Sequence, residues 1–357
     1  KQKTAYEISL GRVGSEMCIR DRQYTVPARH ETVDYEFLQN VKANYDEIWD
    51  KARHSVAGIP IDYAEGAARD VSDEERTAAY EAGGAQGGFN FVFGSFEDIA
   101  TARRANDTAS EFIRSKIREA VEDPETAEKL VPRDHPFSSK RALIDTNYFE
   151  TYNRDNVTLV DIRHAPIEEI TPTGLRTAGD EYELDIIVFA TGFDAMTGTF
   201  FKMDIRGRDG LQLKEKWAEG PKTYLGVATA GFPNMFMITG PGSPSVLSNM
   251  PVSIEQHVEW ISGFIENLRE RDVNAVEADG AAEIARVDHV NELAGETMFM
   301  LADSWYLGAN IPGKPRVFMP YPGGVGAYRE KCDEVTASGY DGFLMDASDP
   351  VKAVARS

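Results

Sequence analysis

Cysteine, positive charge and long apolar runs are all scarce in this sequence. Only Cys18 and Cys332 occur among 357 residues, which excludes a disulfide framework and fits a reducing cytosol. Lysine and arginine number 38 against 59 acidic residues, giving a net charge of −21. Because nucleic acid binds to a basic face, we expect no nucleic-acid partner. No run approaches the roughly 18–20 apolar residues of a membrane span, so we expect a cytoplasmic protein with no membrane partner.

Several common site motifs are also missing. The sequence contains no G-x-G-x-x-G and no phosphate loop. The glycine run at residues 83–88 follows no strand and lacks a Lys-Ser/Thr pair, so we predict that it is a loop between helices. The six histidines show no metal or triad spacing, and we expect no metal site. His257 is interpreted as a packed or capping side chain.

The coarse pattern is helical from residue 32 to about residue 130 and rich in short strands from residue 156. Phe37, Val41, Tyr45 and Ile48 recur at helical spacing and predict one apolar face. Ser72, with a glutamate three residues later, forms a capping box at a helix start. Strands are predicted near residues 157–160, 167–170 and 175–176.

The stretch at residues 182–198 organises the remainder of the chain. An apolar run at residues 184–189 predicts a buried strand, and Ala190-Thr191-Gly192 follows at the end where open α/β sheets place ligands. A second buried strand is predicted at residues 235–239. It leads into GPGSPSVL at residues 240–247, where free backbone N–H groups are expected before a helix.

The helix after this turn is predicted from a regular apolar pattern. Three- and four-residue steps place its buried face on Ile254, Val258, Ile261, Ile265 and Leu268. Ser245, Ser248 and Asn249 are equally good candidates for its N-cap.

Two further segments carry possible chemistry. Lys140 and Arg141 are adjacent cations. They are either solvated surface charges or binding residues. In the second case the lysine would be a point charge for a phosphate and the arginine a planar fork for an anion. Residues 304–316, SWYLGANIPGKPR, place Trp305 and Tyr306 among glycines and prolines. This composition is typical of a mobile lid, although a surface loop pinned by one buried tryptophan also has it.

Taken together, four segments resemble the Baeyer–Villiger monooxygenases of the phenylacetone and cyclohexanone monooxygenase type. The segments are residues 140–161, 182–198, 237–260 and 304–324. The resemblance implies an α/β fold that is the C-terminal portion of a two-dinucleotide-binding-domain flavoprotein, with a helical insertion in the NADPH domain. The implied domains are residues 23–190 for NADPH, with the insertion at 32–130, residues 191–345 for FAD, and a tail at 346–357.

The resemblance also implies an activity and a site. The activity is an FAD- and NADPH-dependent insertion of one oxygen atom of O2 next to a ketone carbonyl, giving an ester or lactone. By the same resemblance Arg141 is catalytic and stabilises a flavin C4a-peroxide, Lys140 binds the 2′-phosphate of NADPH, and Trp305 lies on a loop that closes over NADP⁺. Leu247 and Met250 are implied to border the substrate pocket. The implied FAD-lining residues are Thr191, Gly192, Phe193, Asp194, Gly240, Pro241, Ser245, Val246 and Leu247.

One departure from the family pattern stands out. Family members begin with a G-x-G-x-x-G for FAD, a fingerprint around a His and a Trp, and a second G-x-G-x-x-G for NADPH, and none of these occurs here. In their place residues 1–22 resemble a translated sequencing-adapter read, which we interpret as a non-native segment. We therefore expect a fragment that alone neither retains FAD nor oxidises NADPH. Alternatives are a flavin monooxygenase acting on nitrogen or sulfur, and a non-catalytic interaction protein derived from the oxygenase.

Overall fold

A computed structural model describes residues 15–346 of the chain. The chain divides into two compact units, one made of Lys1–His30 and Tyr63–Gly192 and the other of Glu31–Asp62 and Phe193–Ser357. The break after Gly192 falls two residues from the predicted boundary at residue 190. The assignment of the units to NADPH and FAD stays a prediction. Of the predicted tail at residues 346–357, only residue 346 is described, at the end of a strand. Residues 1–14 of the adapter-like segment lie outside the described residues as well.

Up to residue 192, two short strands come first, a series of helices follows, and the segment ends in further short strands. They are β1 (Ser15–Ile19), β2 (Thr25–Pro27), α1 (Tyr35–Ala43), α2 (Tyr45–His54), α3 (Asp73–Gln86), α4 (Asn90–Gly94), α5 (Arg103–Ala120), α6 (Pro124–Leu130), β3 (Leu143–Asp145), β4 (Val157–Asp161), β5 (Ile167–Thr171), β6 (Gly174–Thr177) and β7 (Glu181–Glu183), with 3-10 turns at Ala68–Asp70 and Glu150–Asn153. The helical pattern over residues 32–130 and the strands near 157, 167 and 175 are confirmed.

The first unit contains three small sheets and one hydrophobic core. Strand β1 pairs with β4 and β2 with β3, both in parallel, while β5, β6 and β7 form an antiparallel sheet. Arg22 is 8% exposed, pairs with Asp161 and donates from Nε to the carbonyl of Lys129 at 2.6 Å. The structure thus places residues 15–22 within the fold of this unit, whereas their non-native origin stays a prediction.

Helix α3 confirms one local prediction and contradicts another. The Ser72 hydroxyl accepts a hydrogen bond from the N–H of Glu75, and the Glu75 carboxylate accepts one from the N–H of Ser72. The capping box is therefore present. The same helix continues to Gln86, so the loop predicted at residues 83–88 is wrong for residues 83–86. Strong capping at one end lets the helix run through two glycines before Gly87, with φ 76°, ends it.

The second unit is mainly helical after residue 192. Its elements are α7 (Gly198–Lys202), α8 (Leu213–Lys216), α9 (Met250–Glu270), β8 (Ala275–Ala278), α10 (Gly280–Gly295), α11 (Val325–Ala337) and β9 (Phe343–Asp346), with 3-10 turns at Arg208–Gly210, Ser245–Leu247, Met298–Leu301 and Trp305–Leu307. Strands β8 and β9 pair antiparallel. Within residues 15–346, no helix is long and apolar enough to cross a membrane.

Residues 31–62, predicted as part of the insertion in the first domain, cluster with the second unit. The indole of Trp49 on α2 donates to Glu255 on α9 at 3.0 Å, and Arg53 donates to the same carboxylate at 2.9 Å. The apolar face predicted for this region is not buried, since Phe37 on α1 and Tyr45 at the start of α2 are 56% and 55% exposed. Polar contacts of α2, together with backbone hydrogen bonds to the carbonyls of residues 55–57, therefore hold the segment to its unit.

The predicted buried strand at residues 184–189 is wrong. Strand β7 ends at Glu183, and Ile186 and Phe189 are 71% and 70% exposed. No strand among residues 15–346 pairs with residues 185–190. An apolar run forms a buried strand only where neighbouring strands and a covering layer exist, and here the described chain supplies neither. The strand predicted at residues 235–239 is likewise absent.

Helix α9 is confirmed, and its buried face agrees with the prediction at Ile261 and Leu268 but differs from it towards the N-terminus. The buried residues are Val252, Ser253, Gln256, His257, Ile261, Phe264 and Leu268. Ile254 and Val258, predicted to be inside, are 39% and 48% exposed. The face is rotated because its first two turns bury polar side chains that hydrogen-bond in the interior, which an apolar pattern does not detect.

We expect Phe264→Ala to destabilise the second unit by about 3–5 kcal/mol, because Phe264 is fully buried and stacks on Tyr340 with ring centroids 3.9 Å apart. Val258→Ala on the same helix serves as the control and should cost less than about 1 kcal/mol. Urea unfolding monitored by circular dichroism measures both. Equal losses for the two variants would contradict the observed orientation of α9.

Candidate functional site

The predicted cation pair lies in the first unit. Lys140 is half-buried and Arg141 is exposed. Burial lowers the pKa of His135, and the charge of Lys140 lowers it further. The His135 Nδ1 lies 2.7 Å from Asp134 Oδ1, so the neutral ring donates there and its Nε2 is an acceptor. That Nε2 and the hydroxyl of Ser138 are buried without a hydrogen-bond partner among the described residues. Lys140 therefore has polar neighbours with unused hydrogen-bonding capacity.

The first unit also contains the end of the ATG segment. Thr191 and Gly192 are exposed. Gly192 has φ 83°, and no protein atom among the described residues lies within 4 Å of where its Cβ would be. The backbone here is open to close approach by a ligand.

In the second unit the next three residues, 193–195, are held by the loop at residues 304–316. Lys314 Nζ lies 2.5 Å from Asp194 Oδ1 and 3.0 Å from the carbonyl oxygen of Ala195. Asn310 donates to the carbonyl of Phe193 at 3.0 Å. The Lys314 side chain is only 8% exposed. Two predicted site segments therefore meet, and Lys314 and Asn310 connect them, although the sequence analysis did not select either residue.

The turn at residues 240–247 depends on close backbone packing. A methyl group on Gly240 would lie 2.5 Å from the carbonyl oxygen of Gly226, so only glycine fits. Ser245 has φ 44°, and its hydroxyl lies 3.8 Å from Met196 Sδ. The turn is thereby brought beside residues 193–197. Pro241 is buried and Val246 is half-buried.

The expectation of free N–H groups in this turn is wrong for three of its residues. The N–H of Gly242 donates to Met319 at 2.7 Å, that of Ser243 to Gly240 at 3.2 Å and that of Leu247 to Pro244 at 3.0 Å. These N–H groups have hydrogen-bond partners within the protein because burying an N–H without a partner costs free energy.

Helix α9 begins directly after this turn. Asn249 is its N-cap but makes no side-chain capping bond. Ser248, another N-cap candidate, instead donates to the carbonyl of Ser245 at 2.7 Å and lies 2.6 Å from the Ser253 hydroxyl. Leu247 and Met250, the predicted pocket residues, are half-buried.

The aromatic residues of the loop at 304–316 anchor it to the core. Tyr306 and Leu307 are buried, while Trp305 is half-buried, with its ring centroid 4.5 Å from that of Tyr306. Phe299 packs edge-on against Tyr306 at 5.6 Å. The base of this loop is thus anchored in the core, in agreement with the interpretation of a surface loop pinned by a buried aromatic residue. The main anchor is Tyr306 rather than the tryptophan. The closing role of Trp305 stays a prediction.

A buried hydrogen-bond chain through His257 fixes the start of the turn. The N–H of Thr239 donates to His257 Nδ1 at 2.9 Å, so the proton of the neutral ring is on Nε2. That nitrogen lies 2.8 Å from the Tyr328 hydroxyl, which donates to the carbonyl of Leu225 at 2.5 Å. The interpretation of His257 as a packed side chain is confirmed. Its partners were missed because they lie 18 to 71 residues away in the sequence.

Burial lowers the pKa of His257 to about 4. The unfolded value is about 6.5. Between these values the unfolded chain binds the proton that the folded chain excludes, so stability is fully present above pH 6.5 and is lost as the pH falls towards 4.

Because of His257, we expect the free energy of unfolding of the second unit to fall by about 3 kcal/mol as the pH is lowered from 6.5 to 4. His257→Gln should remove that part of the pH dependence, because glutamine does not titrate. His54→Gln, at a half-exposed histidine of the same unit, should retain it. Urea unfolding at several pH values measures all three proteins. An unchanged slope in His257→Gln would show that the imidazole does not titrate on unfolding.

Metal chemistry has no residues to support it in the part of the chain that the structure describes. No group of three or more His, Cys, Asp or Glu side chains there could hold a metal ion. Cys332 is buried, and burial raises the pKa of its thiol to about 11. The thiol is therefore protonated and unreactive near neutral pH.

Known proteins are similar to this chain over most of its length. No protein-family model matches. The sequence is 46% identical to a Baeyer–Villiger monooxygenase of Pseudooceanicola batsensis over 92% of this chain and 60% of that protein. It is 43% identical to a phenazine N-monooxygenase of Lysobacter antibioticus over 94% of this chain and 62% of that protein.

Two solved structures have folds similar to that of this chain. Cyclohexanone monooxygenase from Rhodococcus bound to NADP⁺ matches with a TM-score of 0.90 and 42% identity, over 93% of this chain and 62% of that one. A monooxygenase named OTEMO, in complex with FAD and NADP, matches with a TM-score of 0.89 and 36% identity, over 93% of this chain and 61% of that one. The chain is thus similar in sequence and in fold to these monooxygenases and spans about three-fifths of their length.

Proposed function

We propose that this chain is part of an FAD- and NADPH-dependent monooxygenase that inserts one oxygen atom of O2 next to a ketone carbonyl, giving an ester or lactone. The observation that carries the proposal is the 46% identity to a Baeyer–Villiger monooxygenase over 92% of the chain. The solved relatives named with FAD and NADP support both cofactors. The proposal includes a cytoplasmic location, which the low cysteine content favours.

The residues around Lys140 suit the phosphate end of NADPH. Lysine is a compact charge that pairs well with a phosphate. The unused hydroxyl of Ser138 and the unused acceptor of His135 are suited to further phosphate or ribose groups. Lys140 would bind the 2′-phosphate. Trp305, half-buried at the base of its loop, would contact the same cofactor.

The residues proposed for FAD fit a group that lies against backbone. Gly192 faces open space, and Gly240 allows two backbone segments to approach closely. The buried hydroxyl of Thr197 has no hydrogen-bond partner among the described residues. When bound, the flavin would supply the redox chemistry that activates O2. The residues that would hold it are Thr191, Gly192, Phe193, Asp194, Gly240, Pro241, Ser245, Val246 and Leu247.

The remaining roles concern the substrate. Leu247 and Met250 would border the ketone, as half-buried apolar side chains at the start of α9. Arg141 is the proposed catalytic residue. A guanidinium stays charged at any relevant pH and presents several donors, so it can stabilise an oxyanion without giving up a proton.

A second candidate function is oxidation at nitrogen. The phenazine N-monooxygenase of Lysobacter antibioticus is 43% identical to this chain, close to the value for the ketone-oxidising relative. Both reactions would use the same two cofactors, so the identity of the oxygen acceptor separates them.

The test uses the protein encoded by the complete gene, with FAD and NADPH supplied. We expect NADPH consumption to rise with cyclohexanone or phenylacetone and the corresponding lactone or ester to accumulate, as measured by absorbance and mass spectrometry. Phenazine is tested in parallel. Formation of an N-oxide without any ester or lactone would favour the second candidate and reject the first.

Arg141→Ala in that protein should lower ester formation at least about 100-fold, because the loss of one preorganised charge in a site costs a few kcal/mol of transition-state stabilisation. Lys140→Ala should instead raise KM for NADPH with a smaller effect on kcat. Arg206→Ala, at an exposed arginine paired with Asp204, is the control. Full activity in Arg141→Ala would exclude a catalytic role for this residue.

A further inference from the structure

The chain that follows the loop at residues 304–316 is fixed to the turn at residues 240–247. The N–H of Gly242 donates to the carbonyl of Met319 at 2.7 Å, and the N–H of Met319 donates to the carbonyl of Tyr306 at 3.0 Å. These two backbone bonds join the turn, the chain after the loop and the base of the loop. The loop therefore has a fixed position beside one of the segments of the second unit that are proposed to line FAD.

The same loop also binds residues 193–195, which begin with two further residues proposed to line FAD. Lys314 contacts the carboxylate of Asp194 at 2.5 Å and the next carbonyl oxygen at 3.0 Å. Asn310 donates to the carbonyl just before Asp194 at 3.0 Å. Two side chains of one loop thus hold three consecutive residues of this segment.

The ion pair between Lys314 and Asp194 is enclosed by tight packing. The lysine side chain is 8% exposed and the aspartate side chain 33%. A Cβ on Gly308 would lie 3.1 Å from Lys314 Cδ, and a Cβ on Gly198 would lie 2.7 Å from Asp194 Cγ. Removing one partner of an enclosed pair leaves the other charge uncompensated. Loss of the lysine would therefore release both the carboxylate and the neighbouring carbonyl.

The two proposed FAD-lining segments of this unit also touch directly, but the contact is weaker. The Ser245 hydroxyl lies 3.8 Å from Met196 Sδ, and a thioether sulfur is a weak acceptor. The bonds of Lys314 are stronger because the donor is charged. The loop therefore provides the firmer connection between residues 193–195 and the turn at residues 240–247.

A second ion pair of the loop region provides a contrast. Arg316 pairs with Asp303 at 2.5 Å, but their side chains are 56% and 81% exposed. An exposed pair contributes little to stability because solvent screens it and two long side chains lose freedom. Arg316 is therefore a matched control for Lys314, two residues away in the same loop.

We propose that Lys314 is a positioning residue that holds residues 193–195 against the loop at residues 304–316 and so fixes the spacing of the two FAD-lining segments. The inference rests on the proposed function, because FAD is the ligand that requires this spacing. Lys314 acts through Asp194 and the neighbouring carbonyl and need not contact the cofactor. Asn310 adds a neutral bond to the same segment.

The first measurement examines the loop in the full chain without any cofactor. Proteinase K cleavage is followed over time, and mass spectrometry identifies the cleavage sites. We expect Lys314→Met, which keeps an apolar stem but lacks the charge, to be cleaved within residues 305–316 at least about fivefold faster, because the loop opens more often. Arg316→Met should be cleaved like the unaltered chain. Equal cleavage of Lys314→Met and the unaltered chain would overturn the proposal.

The second measurement determines the Kd for FAD of the protein encoded by the complete gene, from the quenching of flavin fluorescence. Lys314→Met should raise this Kd at least about 10-fold, because hydrogen bonds to a charged group are lost in a segment that lines the cofactor. Arg316→Met should leave it unchanged. A loosened loop with an unchanged Kd in Lys314→Met would mean a purely structural role and overturn the proposal. An unaltered protein that binds no FAD would instead reject the proposed function, and this inference with it.

A double-mutant cycle shows whether Lys314 acts through its partner. Asp194→Asn keeps the shape of the side chain, and it should raise the Kd for FAD less in Lys314→Met than in the unaltered protein, because the pair is already broken. An equal increase in both would contradict the proposal. Asn310→Ala, which leaves the lysine in place, should raise the Kd about threefold. If circular dichroism shows that Lys314→Met does not fold, Asn310→Ala decides, and no change in its cleavage or its Kd overturns the proposal.

Discussion

The second unit depends on one buried histidine that joins four separate parts of the chain. His257 on α9 accepts from Thr239 and donates to Tyr328 on α11, which in turn donates to Leu225. His257, Tyr328 and Leu225 are buried, so breaking a bond among them would leave an unsatisfied polar group at a cost of about 1–3 kcal/mol. The turn that follows Thr239 therefore starts from a fixed position. Any role of that turn in cofactor binding rests on this connection.

The interior of the same unit shows how buried charge is tolerated when its partners are present. Glu277 accepts from Arg208 at 2.6 Å and from the N–H of Gly231 at 2.7 Å, and Glu283 is satisfied by one lysine, one hydroxyl and one N–H. Both carboxylates thus tie loops to β8 and α10.

Sequence patterns predicted the local features well and the long-range ones poorly. The capping box at Ser72 and the extent of α9 follow from residues a few positions apart, and both were found. The burial of Phe189 depends on neighbouring strands, which no local pattern contains, and it was predicted wrongly. The N-terminal part of the buried face of α9 was predicted wrongly for another reason. Ser253 and His257 are polar, and their burial is stable only because distant residues complete their hydrogen bonds.

The two halves of the predicted flavin site differ in a way that bears on how a cofactor would bind. Residues 240–247 are built from contacts of their own unit, including the close approach of Gly240 to Gly226 and the bond from Gly242 to Met319. Phe193, in contrast, is 89% exposed, and its carbonyl is held by Asn310. A preformed turn contributes affinity without an ordering cost, whereas an exposed aromatic ring gains burial when a flat ligand covers it. The turn would therefore set the position of the cofactor, and the exposed segment would supply binding energy from newly buried surface.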